Sequence, residues 1–93
     1  MADVEVLGAD VADGRVKTLK VRFKHTAERT IDRETAVAWL ADGHSLFTWA
    51  GSSHHGTRGK ALQLVEVEEQ PYLRTDTQPV AKDDLVFPAS HGH

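Results

Sequence analysis

The chain has 93 residues, no cysteine, and 11 Lys and Arg against 14 Asp and Glu, for a formal charge of −3. A chain of this length makes one domain with a thin core, because it buries only about 60 to 65% of its unfolded surface. The absence of cysteine excludes disulfides, thiolate metal sites and cysteine nucleophiles, the charge gives no general attraction to nucleic acid or anionic membrane, and no apolar run approaches bilayer length.

The N-terminal MADVEVLGAD is acidic where a secretory signal would be basic and then apolar, so the expected setting is the cytoplasm. The pair Asp13-Gly14 predicts a two-residue hairpin, since both central positions of a type I′ turn need positive φ. With these residues at the tip, Val4 falls opposite Phe23, Val6 opposite Val21 and Gly8 opposite Leu19, while the other face pairs Asp3 with Lys24 and Glu5 with Arg22. Apolar meets apolar and acid meets base, an arrangement that a slip of one residue would destroy. Val11 and Val16 then fall on the charged face, which predicts a bulge or local twist near the turn.

Residues 25–30 read as a polar connector. Asp32 then serves as the N-cap of a helix about ten residues long, accepting from the backbone N–H of Glu34 or Thr35. Ala36, Val37, Leu40 and Ala41 repeat on one helical face, of which the stripe of Val37, Leu40 and Ala41 should face a sheet, and Gly43 stops the run. Trp39 lies off that stripe, so another segment must cover it unless it is partly exposed, and the C-terminal tail is the natural cover. Residues 45–50 follow as a strand, with Phe47 and Trp49 on one side and Leu46 and Thr48 on the other. Residues 51–60, GSSHHGTRGK, read as a glycine-rich loop. Residues 61–69 form a strand whose apolar phase flips between Leu64 and Val65, and Pro71 ends regular pairing. Residues 71–93 are a tail that wraps back through Leu85-Val86-Phe87, with the last few residues disordered. The expected fold is a single α+β domain over residues 1–93: a small two-layer ββαββ unit with one helix on a largely antiparallel sheet.

Two pieces of the tail, PYLRT at 71–75 and DDLVFP at 83–88, resemble the C-terminal signature of a family of small bacterial proteins known only as a domain of unknown function. That family carries YLRT, a short Asp-containing spacer and then NLxxLP; here Asp84 stands in place of Asn, and Phe87 precedes the proline where Leu is usual. The resemblance spans residues 31–88 and implies a bacterial protein with the same order of helix, glycine stop and strand. It implies no activity.

Candidate chemistry is sparse. The glycine-rich loop lacks a Walker pattern, because Thr57 stands where the phosphate-binding lysine belongs, and Gly56-Thr57-Arg58-Gly59 copies a GxxG clamp without its two helices. His54, His55, His91 and His93 offer imidazoles, but no spacing completes a coordination shell, so no metal or other cofactor is expected. Lys20, Arg22 and Lys24 read as a solvated ion-pair face, which Glu66 and Glu68 would help neutralise if their strand lay alongside. No G-x-S-x-G elbow accompanies Ser45, Ser52, Ser53 or Ser90, and Asp83-Asp84 are neighbours whose side chains diverge in extended chain. The chain is therefore expected to be no enzyme. The first expectation is a protein-interaction or self-association module using Trp39, Trp49 and Tyr72. The second is a small-ligand or nucleic-acid binder using His54, His55, Arg58 and Lys60, with Arg74.

Overall fold

The computed structural model describes residues 3–23, 26–51 and 55–88. The hairpin forms as its turn chemistry dictates. β1 (Asp3–Ala12) and β2 (Arg15–Phe23) join through Asp13 at φ 54 and Gly14 at φ 75. Val4 pairs with Phe23, Glu5 with Arg22 and Val6 with Val21, as the pattern requires. Between them and the turn the register moves by one and then back. An extra residue at Leu7 sets Gly8 opposite Lys20, and one at Lys17 restores Val11 opposite Val16. Two compensating bulges thus replace the expected Gly8–Leu19 pair, and their physical effect is plain. Each flips the alternation of its strand, so Leu19 and Val16, which a regular ladder would place on opposite faces, are both buried in the core. The partner expected for Asp3, Lys24, lies outside the described residues.

The connector contains a third strand, β3 (Arg29–Asp32), which pairs with β2. α1 (Arg33–Ala41) follows at once. Asp32 caps it, its Oδ1 accepting from Thr35 N at 2.8 Å. At the other end Gly43 N donates to Leu40 O and His44 N to Trp39 O, the paired bonds that a glycine in the left-handed conformation permits. Ala36 is the fully buried helical residue, Val37 and Leu40 are half-buried and Ala41 is exposed, so the docked face centres on Ala36 and leaves out Ala41.

The helix carries the chain across the sheet, so β4 (Ser45–Gly51) enters parallel to β1. β5 (Gly56–Ala61) returns antiparallel to β4, with a bulge where Gly59 and Lys60 together face Thr48, and gives a five-stranded mixed sheet ordered β3-β2-β1-β4-β5. A separate two-stranded sheet follows, β6 (Gln63–Val67) and β7 (Gln70–Arg74). The ββαββ expectation is therefore corrected: seven strands in two sheets far outweigh one helix, and the larger sheet has a parallel pair at its centre.

Three local expectations fail for identifiable reasons. Half of the glycine-rich loop is strand β5, because extended Gly and Thr residues pair readily with β4. The long strand expected over residues 61–69 is broken at Leu62, which is buried and donates its N–H to Leu46 O at 2.8 Å. Pro71 does not end pairing. It sits opposite Glu66 inside β7, so the tail begins after Arg74. The turn between β6 and β7 is formed by Glu68 at φ 52 and Glu69 at φ 67, a left-handed pair without the glycine that would advertise it.

The core lies between the five-stranded sheet and the layer formed by α1, β6, β7 and the tail. Val4, Val6, Val16, Leu19, Val21, Leu46 and Thr48 from the sheet meet Ala36, Leu62 and Leu73, and Leu85 and Phe87 of the tail pack against the same cluster.

Candidate functional site

The sequence-predicted site residues separate into three places. Trp39 is on α1, half-buried, with Phe23 at 5.7 Å and His44 at 6.4 Å as its aromatic neighbours among the described residues. Tyr72 and Arg74 are in β7, and both are buried. Trp49, His55, Arg58 and Lys60 belong to the β4–β5 hairpin. His54, together with Ser52, Ser53, Ser90, His91 and His93, lies outside the described residues. Among those that are described, no group of three or more His, Asp or Glu side chains is placed to hold a metal, and no helix is long and apolar enough to cross a membrane.

The β7 group is structural. The Tyr72 ring lies under Arg15, 5.4 Å from its guanidinium carbon. Arg74 grips Asp76 with Nε at 2.6 Å and Nη2 at 2.9 Å, and its Nη1 donates to Lys82 O at 2.8 Å. Its fork is therefore occupied, and the bidentate pair holds the Asp76 carboxyl below its usual range.

The polar centre of the molecule is one that the residue pattern did not nominate. Asp83 is 3% exposed and accepts from Val16 N at 2.8 Å, Leu73 N at 2.9 Å and Arg33 Nε and Nη2 at 2.8 and 3.0 Å. Arg33 Nη2 also donates to Pro71 O at 2.6 Å. Burial opposes charge on Asp83, but the guanidinium and the two backbone N–H groups outweigh it and hold the carboxyl below its ordinary value, while Arg33 is raised. One signal for this pair was present in the chain. A basic residue in the first turn of a helix opposes the helix dipole, so Arg33 needed an acidic partner. Asp84 turns the other way, as adjacent extended residues must. Its N–H donates to Leu73 O at 2.8 Å, its O accepts from Thr75 N at 3.1 Å, and Val86 N donates to Thr75 Oγ1 at 3.1 Å. The two halves of the YLRT and DDLVFP pattern thus clasp each other.

The β4–β5 hairpin differs from these in leaving charge uncommitted. Glu5 and Phe47 are register partners on the sheet face turned away from α1, and both are buried. Arg22 Nε donates to Glu5 Oε1 at 2.7 Å, and its Nη2 reaches Gly51 O at 3.3 Å, so the hairpin tip comes back over this face. The expected solvated ion-pair face is corrected in part: Arg22 pairs with Glu5 but in the interior, Lys20 pairs in solvent with Glu28 at 3.6 Å, and Glu66 lies in the other sheet. Beside them the Arg58 guanidinium lies over the Phe47 ring at 4.0 Å, and Trp49 abuts Phe47 at 6.1 Å. Neither Arg58 nor Lys60 forms an ion pair among the described residues.

The glycines here serve packing. A Cβ on Gly59 would collide with Thr48 Oγ1 and come within 2.8 Å of Pro88 Cδ, and one on Gly51, at φ 102, would come within 2.7 Å of His55 O. The GxxG stretch is therefore extended strand and forms no cradle of converging N–H groups. A depression of about 420 Å³ lies on the same face around the Leu7 bulge, lined by Gly8, Asp10, Thr18, Lys20 and Thr30. Its polar side chains already pair, Thr18 with Asp10 at 3.2 Å and Lys20 with Glu28.

No family model matches the chain, and comparison with curated proteins and with solved structures found no match.

Proposed function

We propose that the chain is a non-catalytic protein-interaction module that works from the β4–β5 edge. The observation that carries this reading is the position of β5. It is an outer strand of the larger sheet, and among the described residues no other strand pairs with its far side. Such an edge presents unpaired backbone donors and acceptors, the usual basis for strand addition, and here the bulge at Gly59-Lys60 divides them into two short runs. Beside it stand Trp49 and the stacked Arg58, side-chain types enriched where protein partners bind.

A cytoplasmic bacterial setting belongs to this proposal, the first part supported by the cysteine-free composition and the second by the resemblance to the small bacterial family. The resemblance to the small bacterial family is retained in it as a likeness of sequence over residues 72–75 and 83–88, the two stretches that clasp each other in this chain. The second expectation, a ligand or oligonucleotide site in residues 51–60, has less support, because Gly51 and Gly59 are spent on close packing.

The test is capture from lysate by immobilised chain, run beside a variant carrying Arg58→Glu and Lys60→Glu, with oligomeric state followed by light scattering. The reading expects a partner that the wild type retains and the variant loses. A strict monomer that captures nothing, or a partner held equally by both, would overturn it.

A further inference from the structure

We propose that the occupant of the β5 edge is an extended, acid-bearing segment of a protein partner, which adds to β5 as a sixth strand and places a carboxylate in the fork of Arg58. This rests on the interaction-module reading above and names the chemistry of the partner.

Three observations converge on it. The first is the state of Arg58. Its guanidinium carbon lies 4.0 Å from the centre of the Phe47 ring, and Phe47 is itself buried beside the Glu5–Arg22 pair. A guanidinium held by its face keeps its in-plane N–H groups available, and those are the groups that bind a carboxylate in bidentate fashion. The ring contact limits where the fork can sit, and no carboxylate fills it among the described residues. Arg74 shows the same fork filled by Asp76 and has nothing further to offer.

The second is the choice between edges. β3, the opposite edge of the sheet, has four residues and runs directly into α1, whereas β5 has six and stands at the end of a hairpin. A strand of about five or six residues is the usual unit of sheet pairing, so β5 is the edge with room for a partner.

The third is charge. The protein as a whole is acidic, yet β5 carries Arg58 and Lys60 and no acid. Two copies pairing antiparallel through this short strand would bring like charges opposite one another, which disfavours self-association, while an acidic strand turns the same charges into cross-strand pairs. Lys60 sits near enough to Asp76 to help hold that carboxyl low, but it makes no ion pair with it. Its ammonium therefore remains available to a partner at the edge.

The test is a nuclear magnetic resonance titration of the full chain with two extended peptides, one alternating Glu and Val and the other its Lys-for-Glu counterpart. The Glu peptide is expected to shift the amides of residues 56–61 and the Trp49 indole, and to bind more weakly as salt is added. Arg58→Ala and Lys60→Glu should each weaken it about fivefold, and Arg58→Lys should recover only part of the loss because it restores charge without the fork. Lys60 is exposed, so the Lys60→Glu result stands even if Arg58→Ala disturbs the stack on Phe47. Equal binding of the Lys peptide would overturn the acidic partner while leaving the interaction module intact. So would shifts of the same amides on raising the concentration of chain alone, which would mark a second copy as occupant. If capture depends on β5 but the Glu peptide does not bind there, this inference fails and the module reading survives; loss of both removes both.

Discussion

Asp83 Oδ2 accepts a 2.8 Å hydrogen bond from the backbone N–H of Val16, a residue 67 positions earlier in the chain. That single acceptor ties the tail to the second strand of the opening hairpin. Through Leu73 N and Arg33 the same carboxylate also holds the second sheet and the helix. Replacing Asp83 with Ala should therefore lower stability by about 3 kcal/mol, since it leaves a partly buried guanidinium and two N–H groups without their acceptor. Urea unfolding of the variant checks this; a loss under about 1 kcal/mol would show that water replaces the carboxylate at little cost.

The pH dependence follows from the same site. The Asp83 carboxyl is held below its ordinary value of 3.8 in the folded protein, so its contribution is fully present above that value and is lost as pH falls through the lower, folded-state value. Acid unfolding followed by circular dichroism should show a limb that steepens below about pH 4, and Asp83→Asn should flatten it. Equal acid limbs in the two proteins would contradict the assignment.

Glu5 and Arg22 make a second interior pair, at 2.7 Å, on the opposite face of the sheet. Glu5→Ala alone should cost about 3 kcal/mol by stranding the guanidinium. The double replacement Glu5→Leu with Arg22→Met should cost much less, because neither charge then needs a partner. Thermal unfolding of Glu5→Leu alone, Arg22→Met alone and the double replacement closes the cycle, and additive losses would show that the pair is not coupled.

Two backbone positions give predictions of opposite sign. Gly59→Ala forces a Cβ against Thr48 and Pro88, and overpacking of this kind should destabilise by about 2 kcal/mol. Glu68 and Glu69 hold positive φ with full side chains, so an Asn-Gly replacement should stabilise by about 1 kcal/mol. Calorimetry of both variants decides, and a stabilised Gly59→Ala would mean that the β5 bulge relaxes freely.

The two hairpin turns show what the sequence could and could not disclose. Asp13-Gly14 was legible because glycine is the residue that tolerates its φ, and the Val4, Val6 and Val21 alternation then set the register. Glu68-Glu69 was not legible, since nothing in two glutamates signals a left-handed turn, and the neighbouring Pro71 argued against the strand that contains it. The helix was legible at both ends from Asp32 and Gly43, because caps are local chemistry. β3 and β5 were hidden for the reverse reason. Their sequences are polar or glycine-rich, and each becomes strand only through a partner already in place, β2 and β4 respectively.

The candidate site divides along the same line. Trp49 and Arg58 could be named as residues, but their association through Phe47 depends on the β4–β5 register. Tyr72, a candidate as an accessible aromatic, and Arg74, a candidate as a ligand-binding cation, are both interior, because β7 and the tail close around them. Asp83 was passed over because its partners, Val16, Arg33 and Leu73, lie 67, 50 and 10 positions away.

Amide hydrogen exchange of the full chain, with and without a saturating peptide alternating Glu and Val, tests most directly whether the β5 edge is the working surface. Strand addition predicts new protection confined to residues 56–61, with the amides of β3 and α1 unchanged. Protection that appears on β3 instead, or no change anywhere with the peptide bound, would contradict it.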